Sequence, residues 1–468
     1  MKNLLLLFLC TLLLTPSYAQ EYDYKFRLIL KDKGKTKYAV DRPEEFLSAK
    51  SIERRKKQNI DITISDLPIS GEYINKIESL GVRVVTKSKW LNSVSVNCQD
   101  SAMIDSLKSL SFVNDAIFVW KGKRTEPKVV TYPDTLKLPN LQEALPGDYY
   151  GWGYQNIKAL DADTLHQAGF KGKGIDIAVI DAGFKHLPSI ELLDNISIKG
   201  QKSFVDGMQN AYIEGNQHGL NVLSCIAANK PEYIVGTAPE ADFWLLTTED
   251  SNSEFPIEED YWVAAIEYAD SVGVDVVNTS LGYSSFDNPA HVYKHEDLDG
   301  RTAFITKGAN MAVRKGMFVV VSAGNSGDSE WRKITPPSDA YNVLTVGAIR
   351  QDSVIARFSS RGMTADLRVK PDVMTLGANS TVIDSRGTIA YKSGTSFSSP
   401  IMTGVVACLW QAYPELSNIE LLNIIRESGH KYENPDENYG YGIPNIKIAI
   451  EKAEALLKKK QERKTKKE

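Results

Sequence analysis

Ile175-Asp176-Ile177-Ala178-Val179-Ile180-Asp181-Ala182-Gly183 is an apolar, β-branched run closed by a carboxylate and a glycine. A strand so uniformly apolar needs cover on both faces, as in the middle of a parallel sheet. Runs of the same kind recur at 243–246, 274–277, 318–321 and 343–346, with amphipathic helical stretches between them. Strand alternating with helix predicts an α/β fold with a doubly wound, mostly parallel sheet.

Open sheets of this class present their functional groups at the carboxyl ends of the strands. The quoted run ends in Asp181, the 274–277 run in Asn278-Thr279-Ser280-Leu281-Gly282, and the 318–321 run in Ser322-Ala323-Gly324-Asn325. Two more segments open helices: His218-Gly219 precedes 220–228, and Gly394-Thr395-Ser396-Phe397-Ser398-Ser399-Pro400 precedes 401–413. An alcohol is a weak nucleophile at neutral pH, so it needs a base within reach and an anion to orient that base. Ser396, His218 and Asp181 suit those three roles. Asn325 suits a fourth, an amide donor that joins the Ser396 backbone N–H in stabilising an oxyanion.

These segments resemble the subtilisin-like serine proteases. Val179-Ile180-Asp181-Ala182-Gly183-Phe184, then His218-Gly219, then Gly394-Thr395-Ser396 stand in that family's order of Asp, His and Ser. The resemblance covers about 151–456 and implies a serine endopeptidase acting through an acyl-enzyme. It makes Asp181, His218 and Ser396 catalytic and Asn325 the oxyanion donor. Ser280, Leu281, Gly282, Ser322, Ala323 and Gly324 become substrate-binding residues. It implies protein or peptide substrates and no cofactor for catalysis. Many relatives bind calcium; no complete ligand loop is visible here, so a structural calcium is left open and no metal ligand is assigned. Two positions depart from the family pattern. Ala182 stands where Ser or Thr usually follows the Asp, and Leu220-Asn221 replace the usual Thr-His. They motivate an alternative reading, a catalytically inactive relative that binds peptides or assists assembly.

Residues 20–120 read as a small α+β module, with strands near 26–30, 82–85, 94–96 and 113–119 and helical stretches at 43–58, 71–80 and 101–110. By resemblance this is an inhibitor-like propeptide, a second binding partner carried on the same chain; the competing reading is a permanent accessory domain. Pro127, Pro133, Pro139, Pro146 and Gly147 break all periodicity over 121–150, which reads as a linker with the processing site. Residues 1–19 have a positive start, a short apolar run and small residues before Gln20, the pattern of a secretory signal peptide. The protein is therefore expected outside the cytoplasm of a bacterium, as a monomer. Residues 457–468 read as a frayed Lys-rich tail.

The 468 residues carry 55 basic and 59 acidic side chains, a net charge of −4. The distribution is uneven: 20–120 hold 17 basic and 14 acidic groups, and 121–455 hold 30 and 43. The acidic block has the wrong sign for neutralising phosphates, which excludes nucleic acid as a partner. The opposite charges of module and block favour their docking. Nothing after the leader approaches about 20 apolar residues, so no membrane span is expected. Cys98, Cys225 and Cys408 are far apart and odd in number, and read as buried thiols. His291 and His295 are four apart beside Glu296, Asp297 and Asp299, but complete no zinc signature and read as an exposed loop.

Overall fold

The computed structural model describes residues 22–123, 138 and 142–466. The signal-peptide reading and most of the linker fall outside these residues. The apolar runs form a parallel seven-stranded sheet from β5 (Asp176–Asp181), β6 (Ser197–Ser203), β7 (Asp242–Thr247), β8 (Val276–Thr279), β9 (Phe318–Ser322), β10 (Leu344–Ile349) and β11 (Val373–Leu376). Its order is β11-β10-β9-β8-β5-β7-β6. Winding thus proceeds in both directions from β5, and the crevice beside its carboxyl end is the expected place for a ligand.

Alternation along β5 builds both halves of the core. Ile177 and Val179 pack with α4 (His218–Ala227) and α7 (Thr395–Ala412), whereas Ala178 and Ile180 pack with α5 (Ile257–Val272) and α6 (Phe304–Arg314). Every residue of β5 is buried, as a sheet covered on both faces requires.

Two strands had no signal in the sequence. β6 is polar and largely exposed at the sheet edge, and its lysines are a common protection for an unpaired edge. β11 is a four-residue strand at the opposite edge, shorter than the runs that betray a strand. Three expectations are corrected. Helix α7 starts at Thr395 and carries Pro400 in its interior. Proline has no N–H to return to residue 396, and the freed Ser396 carbonyl accepts from Ser280 Oγ at 2.9 Å instead. The Lys-rich tail is not frayed: α8 (Ile446–Thr465) runs through it, and Lys460 pairs with Glu420 at 2.7 Å. His291 is not in an exposed loop but stacks on Phe118, while His295 hydrogen-bonds the Met363 carbonyl. Cys98, Cys225 and Cys408 are buried free thiols. No described helix is long and apolar enough to cross a membrane.

The N-terminal module is an antiparallel sheet, β2-β3-β1-β4, of β1 (Tyr22–Leu30), β2 (Arg83–Ser88), β3 (Ser93–Cys98) and β4 (Val113–Lys123). Its helices are α1 (Ala49–Lys57), α2 (Gly71–Glu78) and α3 (Met103–Lys108). Phe26 and Leu28 face the module's own core. Between them Arg27 turns the other way onto α5, where its guanidinium meets Asp260 at 2.8 Å and lies 3.6 Å from the Phe304 ring. The period-2 pattern that looks half polar in sequence is therefore buried on both faces, with charge on one of them. Arg54 and Arg55 of α1 share Asp270 at 2.6 and 2.8 Å, and Lys25 reaches Asp206 at 3.2 Å. Lys50 bridges Asp176 and Asp275, and Glu267 accepts from the Lys89 and Trp90 backbone N–H groups.

Candidate active site

Asp181 ends β5 and His218 begins α4, so a strand terminus and a helix terminus meet. The approach is close: a Cβ at Gly219 would lie 2.6 Å from the Gly183 carbonyl oxygen and 2.9 Å from Asp181 Cβ, so only glycine fits. It brings His218 Nδ1 to 2.6 Å from Asp181 Oδ1. Asp181 is fully buried, while the His218 side chain keeps about a third of its surface exposed. Burial lowers the basicity of His218, but the charge and hydrogen bond of Asp181 outweigh it and hold the imidazole above its ordinary value. The backbone N–H of His218 is tied to Asn216 Oδ1 at 3.0 Å, which fixes the start of the helix.

Ser396 sits in the first turn of α7, and its Oγ lies 3.4 Å from the Ser280 carbonyl oxygen. Asn325 Oδ1 accepts from the Thr395 backbone N–H at 2.8 Å and from Thr395 Oγ1 at 3.0 Å. With its oxygen held in this way, the Asn325 amide nitrogen is the end left to donate. Gly324, at φ +103°, gives the turn its left-handed step. His218, Ser396 and Asn325 line one cavity of about 660 Å³ together with Ser280, Leu281, Gly282, Ser322 and Gly324. Of the substrate-binding residues expected from sequence, Ala323 alone is not in that wall; it is fully buried beside Leu298 and Ile334.

The two departures have different consequences. Asn221 faces away from the cavity and donates to the Ile383 carbonyl at 2.7 Å, tying α4 to the neighbouring hairpin. Ala182 lines the cavity, and its backbone N–H donates to Asp181 Oδ1 at 2.7 Å. Among the described residues no group donates to Asp181 Oδ2, where a hydroxyl at position 182 would have offered a donor.

Residues 172–442 match the model of the subtilase family, and residues 25–131 match the peptidase S8 propeptide domain of Bacteroidota. The chain belongs to the subtilase family. Subtilisin BL of Lederbergia lenta is 30% identical over 64% of this chain and 97% of its own length. Subtilisin E of Bacillus subtilis is 29% identical over 63% of this chain and 70% of its own. M-protease of Shouchella clausii is 29% identical over 69% and 74% respectively. This subtilase is a serine endopeptidase carrying a propeptide domain.

Sequence reasoning missed part of the cavity wall. Glu249, Glu254 and Glu258 offer carboxylate oxygens that all lie within 4.8 Å of one another, and all three residues line the cavity. Among the described residues this is the one such group able to offer three metal ligands. Glu249 lies two residues past the end of β7, and its position after a strand was the signal available. Glu254 and Glu258 lie in a loop and at a helix start without a motif. Tyr283 donates to Glu249 at 2.5 Å, and Glu258 accepts from the Asp250 backbone N–H at 2.7 Å.

Proposed function

We propose that this subtilase is a secreted, self-processed endopeptidase in which Asp181, His218 and Ser396 are the triad and Asn325 the oxyanion donor. The observation that carries the assignment is the 2.6 Å pair of His218 and Asp181 beside a cavity that His218 shares with Ser396 and Asn325. Asp181 accepts from Nδ1–H, which leaves Nε2 as the proton acceptor. As Ser396 Oγ attacks the peptide carbonyl carbon, its proton passes to Nε2 and the carbonyl π pair moves onto oxygen. The Asn325 amide and the Ser396 backbone N–H receive that charge. Collapse breaks the C–N bond, and the imidazolium proton leaves with the amine. Water then repeats the sequence on the acyl ester and returns the free Ser396. Ser280-Leu281-Gly282 on one wall and Ser322 and Gly324 on another hold the extended substrate backbone.

The same chemistry cuts the chain within 121–150 and separates the 20–120 propeptide from the 151–456 peptidase domain, after loss of the 1–19 leader. A mass-spectrometric time course of residues 20–468 tests this by comparing the natural chain with Ser396→Ala. Loss of the N-terminal module only from the natural chain is expected, with a fluorophosphonate label on Ser396. Two intact, unlabelled chains would overturn the reading in favour of a peptide-binding relative.

A further inference from the structure

We infer that the carboxyl wall of the cleft, Glu249, Glu254 and Glu258, selects substrates with a Lys or Arg side chain on the acyl side of the scissile bond. The inference rests on the proposed function and names its substrate class.

The three carboxyls occupy the same cavity as His218, Ser396 and Asn325, so a peptide positioned for attack on Ser396 passes them. Among the described residues no Lys or Arg pairs with any of the three, although the acids further along α5 at Asp260 and Asp270 are each met by arginine. Adjacent carboxylates disfavour one another's ionisation. Burial first, and the neighbouring acids after it, push Glu254 up to about 7, Glu249 to about 8 and Glu258 to about 11. An arriving ammonium or guanidinium relieves that repulsion, displaces protons and makes charge-assisted hydrogen bonds.

The side of the bond follows from the propeptide. Trp120 Nε1 on β4 donates to Ser253 Oγ at 3.2 Å, and Ser253 lines the cavity beside Glu254. A chain that enters there and is cut downstream meets the carboxyl wall with residues N-terminal to the cut. Past Trp120 the sequence runs Lys121-Gly122-Lys123-Arg124, three cations in four residues. Lys121 itself lies over the Tyr22 ring of its own module, 4.5 Å from the centroid, and the sequence that follows it carries the class of side chain that the wall accepts.

Internally quenched peptides test the assignment, each with a single acyl-side residue varied among Arg, Leu and Glu on an otherwise neutral background. At one acyl-side position the processed enzyme is expected to show a kcat/KM for Arg about 10-fold or more above that for Leu, roughly 1.4 kcal/mol of discrimination. Glu254→Gln and, as a second variant, Glu249→Gln are each expected to bring that ratio toward 1. The ratio cancels any general loss of activity. A ratio near 1 at every acyl-side position in the natural enzyme, or one that neither variant changes, overturns the inference. So does a ratio that a chelator abolishes and added calcium restores, since the carboxyls would then hold a metal ion. Failure to cleave even the all-neutral peptide overturns the peptidase assignment itself, an outcome distinct from a flat ratio.

Discussion

Helix α5 carries five buried carboxyl groups, and they divide by what faces them. Toward the propeptide, Asp260 takes Arg27 and Ser95, Asp270 takes Arg54 and Arg55, and Glu267 takes three donors from the 88–90 turn. Glu259 stands between the two groups, 3.6 Å from Arg27 and hydrogen-bonded by Tyr293. Toward the cleft, Glu258 meets two backbone N–H groups and two more carboxyls. Acids that face a partner already in place hold the propeptide. Those that face the open cleft hold protons that an arriving cation would displace. The uneven distribution of charge between module and block thus becomes two surfaces of one helix, one satisfied and one waiting.

The largest effect is expected from breaking the satisfied side. Asp270→Asn leaves Arg54 and Arg55 buried with half their compensation, a kind of loss that costs about 3–5 kcal/mol. Denaturant unfolding of the full chain, made uncleavable by Ser396→Ala, should show the first transition lowered by that amount relative to Ser396→Ala alone. A change under about 1 kcal/mol would mean that the apolar contacts around Trp90 and Ile29, not the ion pairs, hold the module.

On the waiting side the same operation should do less. The folded state raises Glu258 to about 11, so its carboxyl holds a proton that the unfolded chain gives up near 4.5. That proton contributes stability fully below pH 4.5, and the contribution declines as pH rises toward 11, because only the unfolded state ionises there. Glu258→Gln should cost about 1–3 kcal/mol at pH 5, because its amide nitrogen cannot accept from one of the two backbone N–H groups that the carboxyl oxygens serve. Between pH 5 and pH 9 the variant should gain on the natural chain. Unfolding at the two pH values checks this, and a natural chain that gains on the variant instead would place an uncounted cation beside Glu258.

Which parts of this arrangement could be read from sequence follows from how locally each is encoded. β5, β7, β8 and β9 announce themselves because continuous apolar runs have one use in an α/β sheet, and Asp181, Asn278 and Asn325 fall where such strands stop. Asn278 then does something no run reveals: its Oδ1 accepts from Ser399 and Thr403, so the strand carrying Ser280 is tied to the helix carrying Ser396. The carboxyl wall was illegible for the same reason, since Glu249, Glu254 and Glu258 are unremarkable in sequence and converge only through the turn into α5. Arg27 read as the polar alternate of a strand; its burial depends on a helix 233 residues away.

The smallest effect is expected at the proposed triad, where Asp181 Oδ2 has no donor among the described residues. His218 is raised above its ordinary 6.5 by Asp181, and the base must be neutral to take the Ser396 proton. The natural enzyme should therefore lose kcat/KM as pH falls through a midpoint above 6.5. Ala182→Ser places a hydroxyl next to Asp181 Oδ2, which no described group now reaches. A donor there draws charge off the carboxylate, weakens its hold on the imidazolium and lowers the midpoint. A hydrogen bond to a charged carboxylate contributes about 1.5–3 kcal/mol, only the part of it that differs between imidazole and imidazolium moves the midpoint, and one pH unit corresponds to about 1.4 kcal/mol. The displacement should therefore be no more than about one unit, with KM for a neutral peptide unchanged. A midpoint that moves upward would mean that the new hydroxyl engages His218 instead. An unmoved midpoint would mean that water already supplies what the missing side chain does not, so that residue 182 is free to vary as far as the triad is concerned.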